Sequence, residues 1–126
     1  MGWSGNAGPR GDGLAIGFLD LEGGGPLITS VGLSRARRPG DVRALGYAVL
    51  DASWMVNGIR VLEQRDGSLT VRLPQQRTAN GLKEVVRPLT AKDRAAITGA
   101  VLNAYAQLVR QPNLLSTVYH PLKEMV

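Results

Sequence analysis

The chain has 126 residues, 44% of them apolar, which suffices for one compact core and is too little for two ordinary domains. It has no cysteine, so a disulfide framework, thiolate metal sites and a thiol nucleophile are all excluded. Fifteen basic against ten acidic side chains give a net charge of +5, which makes polyanions the first candidate partners.

Nine of the sixteen glycines precede Pro26, and such a composition loses too much conformational entropy to order by itself. Residues 1–26 therefore read as a flexible arm. Within it, residues 14–21 carry enough apolar side chains to add a short strand or dock on a partner. Broken by Asp20 and without a basic leader, they read as neither a signal peptide nor a membrane span. The expected compartment is the cytoplasm, with no membrane partner.

Residues 28–36 read as a strand that stops at the turn Arg37-Arg38-Pro39-Gly40-Asp41. The next strand, over 42–52, has apolar residues in both alternating sets and is expected to be central and covered on most of both faces. A third strand over 54–63 leads into Arg65-Asp66-Gly67-Ser68, where Asp-Gly tolerates the positive backbone angles of a tight hairpin. Its partner strand covers 68–73 and places Leu69, Val71 and Leu73 on one side. After Pro74, a polar loop over 75–81 leads to a short fifth strand over 83–87.

The spacing predicts one helix over 91–110, capped by Thr90 and with Asp93 complementing the positive end of its dipole. Ile97, Val101, Tyr105 and Leu108 form its apolar stripe, a packing surface. Gln111-Pro112-Asn113 ends the helix, and within the tail over 111–126 a further short turn or helix is expected from 114 on, carrying Leu114, Leu115 and Val118. The organisation is thus an arm over 1–26, one domain over 27–110 and a tail.

The residues themselves resemble one family. Ile28-Thr29-Ser30-Val31, Val56-Asn57-Gly58-Ile59-Arg60-Val61-Leu62 and Leu69-Thr70-Val71-Arg72-Leu73-Pro74 are similar to strands of the stage V sporulation protein G (SpoVG, septation protein) family. Thr78-Ala79-Asn80-Gly81 resembles its Thr-Pro-Asp-Gly loop, Val85-Val86-Arg87-Pro88-Leu89 its Ile-Ala-His-Pro-Ile, and Arg94, Ile97, Val101, Leu102 and Tyr105 fall in register with its helix. The resemblance implies an α+β fold in which a curved antiparallel sheet of about five strands carries a C-terminal helix. It also implies a homodimer that binds DNA or RNA and regulates gene expression, sporulation and septation. The family's Pro-Ser-basic-basic loop is here Pro74-Gln75-Gln76-Arg77, which carries the binding role to Arg77; Lys83 and the helix residue Arg94 match further basic positions. One basic position is Gln76, the usual His-Asp pair is Asn57-Gly58, and the usual His before Pro is Arg87.

Phosphate contact needs only positive groups and free amides. Arg77, Lys83, Arg87, Lys92 and Arg94 lie within eighteen residues around the loop and helix start, where side chains and dipole can add. As ordinary surface charges, some would pair with Glu84 and Asp93. Arg43, Arg60 and Arg72 fall on three successive strands and suggest a second patch, and Arg35, Arg37 and Arg38 a turn cluster able to grip phosphate. Trp54 and Tyr105 are expected to pack rather than stack on bases. The sole histidine, His120, has no recognisable partner, and neither a metal site, a cofactor, a small-molecule substrate nor catalysis is expected. The competing expectation is a dimeric protein-interaction module on the same scaffold, with Gln75-Gln76 in place of basic residues.

Overall fold

A computed structural model describes residues 27–121; the arm over 1–26, with its segment 14–21, lies outside the described residues, as does the end of the tail. Among the described residues, seven strands and one helix follow in chain order. They are β1 (Ile28–Arg35), β2 (Val42–Leu50), β3 (Trp54–Glu63), β4 (Leu69–Arg72), β5 (Gln75–Thr78), β6 (Gly81–Glu84), α1 (Ala91–Val109) and β7 (Ser116–Tyr119). Five of the strands make one antiparallel sheet in the order β4-β3-β2-β1-β7, and β5 with β6 forms a separate two-stranded ribbon.

The α+β architecture, the five-stranded sheet and the helix agree with the sequence reading, but three strands are corrected. The segment read as a polar loop over 75–81 contains β5, and the strand expected over 83–87 is instead β6, its partner in the ribbon. Thr78 closes the turn by donating from Oγ1 to the Gly81 carbonyl at 2.8 Å, and Gly81 supplies the positive φ of 112° that the tight reversal requires. The fifth strand of the sheet comes from the tail, where a turn or helix was expected. Ser116, Thr117, Val118 and Tyr119 pair with Ser34 back to Val31. The β-branched Thr117 and Val118 with an aromatic suit a pleated surface, and the edge of β1 offers them hydrogen bonds that a tail in water lacks.

One face of the sheet carries the helix. Val31, Leu33, Ala44, Ile59, Val61 and Leu73 from the strands meet Ile97, Val101, Ala104 and Leu108 from α1, all buried. The small Ala100 and Ala104 let the helix approach, and Tyr105 packs half-buried at its margin. Thr90 caps the helix as expected, its Oγ1 accepting from the Asp93 N–H at 3.0 Å. The far end of the helix is held by β1. The Arg35 guanidinium donates to the carbonyls of Leu108, Gln111 and Leu114 at 2.7, 3.2 and 2.7 Å, supplying the positive charge that the last helical turn lacks. Gln107 reaches β7 through Thr117 and the Val118 carbonyl, tying strand and helix together.

Among the described residues the other face carries no helix, which corrects the expectation for β2. That strand is central, but its second apolar set is open to solvent, with Leu45 43% exposed. Two bulges shape β2 and β3. The register shifts between Val42 and Ala44 and again between Gly46 and Tyr47, where Gly58 takes up the extra residue with a φ of 83°.

Candidate nucleic-acid interface

The ribbon is anchored at its base. The Val85 N–H donates to the Pro74 carbonyl at 3.0 Å, closing the loop behind β6. Arg94, on the first turn of α1, then clasps Glu84 with both ends of its fork, donating at 3.1 and 2.7 Å to the two carboxylate oxygens. This bidentate bond, with the nearby positive charge of Arg87, holds the Glu84 carboxyl below its ordinary range despite partial desolvation. Arg94 is therefore spent on structure. Its fork faces a carboxylate and not the solvent-facing surface expected of it.

The remaining predicted residues separate by register. In β5 and β6, Gln76 stands opposite Lys83 and Arg77 opposite Leu82. Adjacent pairs on a ribbon point to opposite faces, so Arg77 and Lys83 do not share a surface. Arg87 lies exposed beyond β6, and Lys92 is exposed on the first turn of the helix. The five residues close in sequence are thus spread over the two faces of the ribbon and the helix start.

Arg60 and Arg72 are brought together. They are direct cross-strand partners of β3 and β4, and neither has a hydrogen-bond or ion-pair partner among the described residues. Beside them lies a cleft of about 300 Å³, lined also by Gly58, Pro74, Gln75 and Leu82. Leu82 shares its ribbon face with its partner Arg77, so Arg60 and Arg72 line the cleft and Arg77 stands on the ribbon face that adjoins it. Like charges directly opposite in a ladder destabilise it, so this pair carries a standing electrostatic cost that an anion would relieve.

Two other arginines leave the expected patches. Arg43 sits at the first bulge and pairs with Glu63 at 3.2 Å, away from Arg60 and Arg72. Arg35 is consumed by the helix end, which leaves Arg37 and Arg38 exposed in the turn. Trp54, expected to pack, is 71% exposed.

The open sheet face contributes residues that sequence reasoning missed. Leu45 stands opposite Arg60, Tyr47 opposite Asn57 and Val49 opposite Met55, in one row beside the arginine pair. The ring of Tyr47 lies on Gly32, the only residue type that leaves room for it. Apolar residues in both alternating sets of β2 were the available signal, and they were read as two covered faces. An antiparallel sheet can equally leave one face to solvent.

A family model described as SpoVG matches residues 27–107. Among curated proteins, "Putative septation protein SpoVG" of Bacillus subtilis is 35% identical over 82 residues, covering 64% of this chain and 84% of its own length. The protein of the same name from Desulforudis audaxviator is 34% identical over 79 residues, covering 62% of this chain and 89% of its own. The matched span contains β1 to β6 and most of α1, with every residue of the arginine pair and ribbon; β7 lies beyond it.

Proposed function

The chain belongs to the SpoVG family, and from that premise we propose that it is a nucleic-acid-binding regulatory protein of the septation type. It acts without catalysis, in the cytoplasm, as the homodimer that the family resemblance implies, and its ligand is DNA or RNA. The observation that carries this reading is the unpartnered Arg60–Arg72 pair, with Arg77 on the adjoining ribbon face. Guanidinium forks match phosphate oxygens, and two of them side by side without a carboxylate suit a polyanion better than water alone. Lys83, Arg87 and Lys92 lie outside that cleft and add longer-range attraction.

The reading is tested by titrating the protein into fluorescent mixed-sequence DNA and RNA at about 50 and 200 mM salt, beside a folded Arg60→Gln/Arg72→Gln variant. Binding is expected to weaken with salt, and the variant's salt slope to be smaller by roughly 1.5 to 2, the loss of two phosphate contacts. Absence of binding at low salt overturns the proposal. It would favour the protein-interaction module, a reading supported by the withdrawal of Arg94 onto Glu84 and by Gln75-Gln76 in the ribbon.

A further inference from the structure

We infer that the helix-free face of the sheet is a platform for single-stranded nucleic acid, on which bases lie over Leu45, Tyr47 and Met55 while Arg60 and Arg72 hold the backbone. The inference rests on the proposed nucleic-acid reading and names the form of the ligand and the surface that selects it. Two rows meet on this face where Leu45 stands opposite Arg60. One is apolar and aromatic, with Leu45 43% and Met55 56% exposed and the half-buried Tyr47 between their positions. The other is the arginine pair, which runs across the sheet: Arg60 stands on β3 directly opposite Leu45, and Arg72 faces it on β4. Neighbouring strands are about 4.8 Å apart, so Arg60 flanks Leu45 at close range and Arg72 follows one strand beyond.

A single strand has the same division, with phosphates along one side and unstacked base faces along the other. A duplex hides its base faces and can offer this surface only phosphates. Asn57, opposite Tyr47 and exposed, adds an amide able to meet a base edge.

Charge decides the occupant. Among the described residues the carboxylates are Asp41, Asp51, Glu63, Asp66, Glu84 and Asp93. None lies in the two rows, since Asp41, Asp51 and Asp66 are in turns, Glu63 pairs with Arg43, Glu84 is on the ribbon and Asp93 on the helix. A second copy docked face to face would desolvate arginines with no carboxylate from either face to receive them. A polyanion with apolar faces meets both rows.

The test uses the full chain with one fluorescent strand of about thirty nucleotides, alone and annealed to its complement, at matched salt. Wild type is expected to bind the single strand about tenfold more tightly than the duplex. A Leu45→Ser/Met55→Ser variant, both sites already solvent-exposed, is expected to lose about tenfold on the single strand and little on the duplex. Equal affinity for both forms, with the serine variant unchanged, overturns the platform while leaving the nucleic-acid reading intact; no binding of either form at low salt removes that reading itself. A serine variant that sediments at a lower mass than wild type overturns the platform in favour of self-contact through this face.

Discussion

Arg35 on β1 donates from Nη2 to the carbonyl of Leu108 in the last turn of α1, at 2.7 Å across 73 residues of sequence. Two further carbonyls, of Gln111 and Leu114, accept from the same guanidinium. Arg35→Met keeps most of the stem and removes the charge and all three bonds. The expected loss is about 1 to 3 kcal/mol of unfolding free energy, measured by urea denaturation, with nucleic-acid affinity per folded molecule unchanged. Unaltered stability would show that water serves these carbonyls equally well.

Glu84 and Arg94 give the ribbon a pH dependence. The carboxyl is held below its ordinary value of 4.5, so it binds its proton less readily folded than unfolded. Its contribution to stability is therefore fully present above pH 4.5 and disappears as pH falls through the lowered value. Both partners reach solvent, with side chains 43% and 20% exposed for Arg94 and Glu84, so the contribution is below about 1 kcal/mol. Glu84→Gln should flatten the acid limb of the stability curve below pH 4.5 and leave stability near neutrality only slightly reduced. An unchanged acid limb would mean that the clasp adds no net stability.

Gly32 and Tyr47 are cross-strand partners whose fit leaves no space. A methyl group at Gly32 would lie 2.3 Å from Cζ of Tyr47, so the ring must move. Gly32→Ala is expected to cost about 1 to 3 kcal/mol, and most of that cost should vanish in a Tyr47→Ala background. Additive effects of the two substitutions would place the strain elsewhere.

Ala52 carries a φ of 54°, next to Asp51 at 53°, in the turn from β2 to β3. The turn is locked by β1, for Asp51 Oδ1 accepts from the Leu27 N–H and Thr29 Oγ1 accepts from the Ala52 N–H, each at 2.8 Å. The left-handed region costs an ordinary residue roughly 1 to 2 kcal/mol, whereas glycine enters it freely. Ala52→Gly should therefore raise the unfolding free energy by up to about 1 kcal/mol despite glycine's greater freedom when unfolded, measured by thermal and urea melts. A loss of stability would mean that the unfolded chain's gain in freedom outweighs the relieved strain.

Sequence alone located β1 to β4 and the helix because alternation, the Asp66-Gly67 turn and the Thr90 cap are local signals. It missed β5 because Gln75 and Gln76 are poor advertisements for a strand, and the ribbon is held by Pro74, Glu84 and Arg94 rather than by apolar burial. It missed β7 because a four-residue edge strand draws its stability from β1, 82 or more residues away in the chain. For the site, proximity in sequence grouped Arg77, Lys83, Arg87, Lys92 and Arg94, whereas pairing register is what puts Arg60 beside Arg72. That register is set by the turn over 64–68, where the Gln64 N–H donates to the Ser68 carbonyl at 2.8 Å, and closeness in the chain says nothing of it.

The sheet is finished by a strand from outside the span shared with the family. β7 lies past residue 107, and with it go the Leu108, Gln111, Leu114 and Leu115 carbonyls that Arg35 holds through its side chain and backbone. A protein trimmed to the shared span would leave the flank of β1 with a row of unmet donors and acceptors, an open invitation for the same strand of a neighbour to insert. β7 thus covers an edge that would otherwise be open to strand exchange, and any shortened form meant for study should keep the chain through Tyr119.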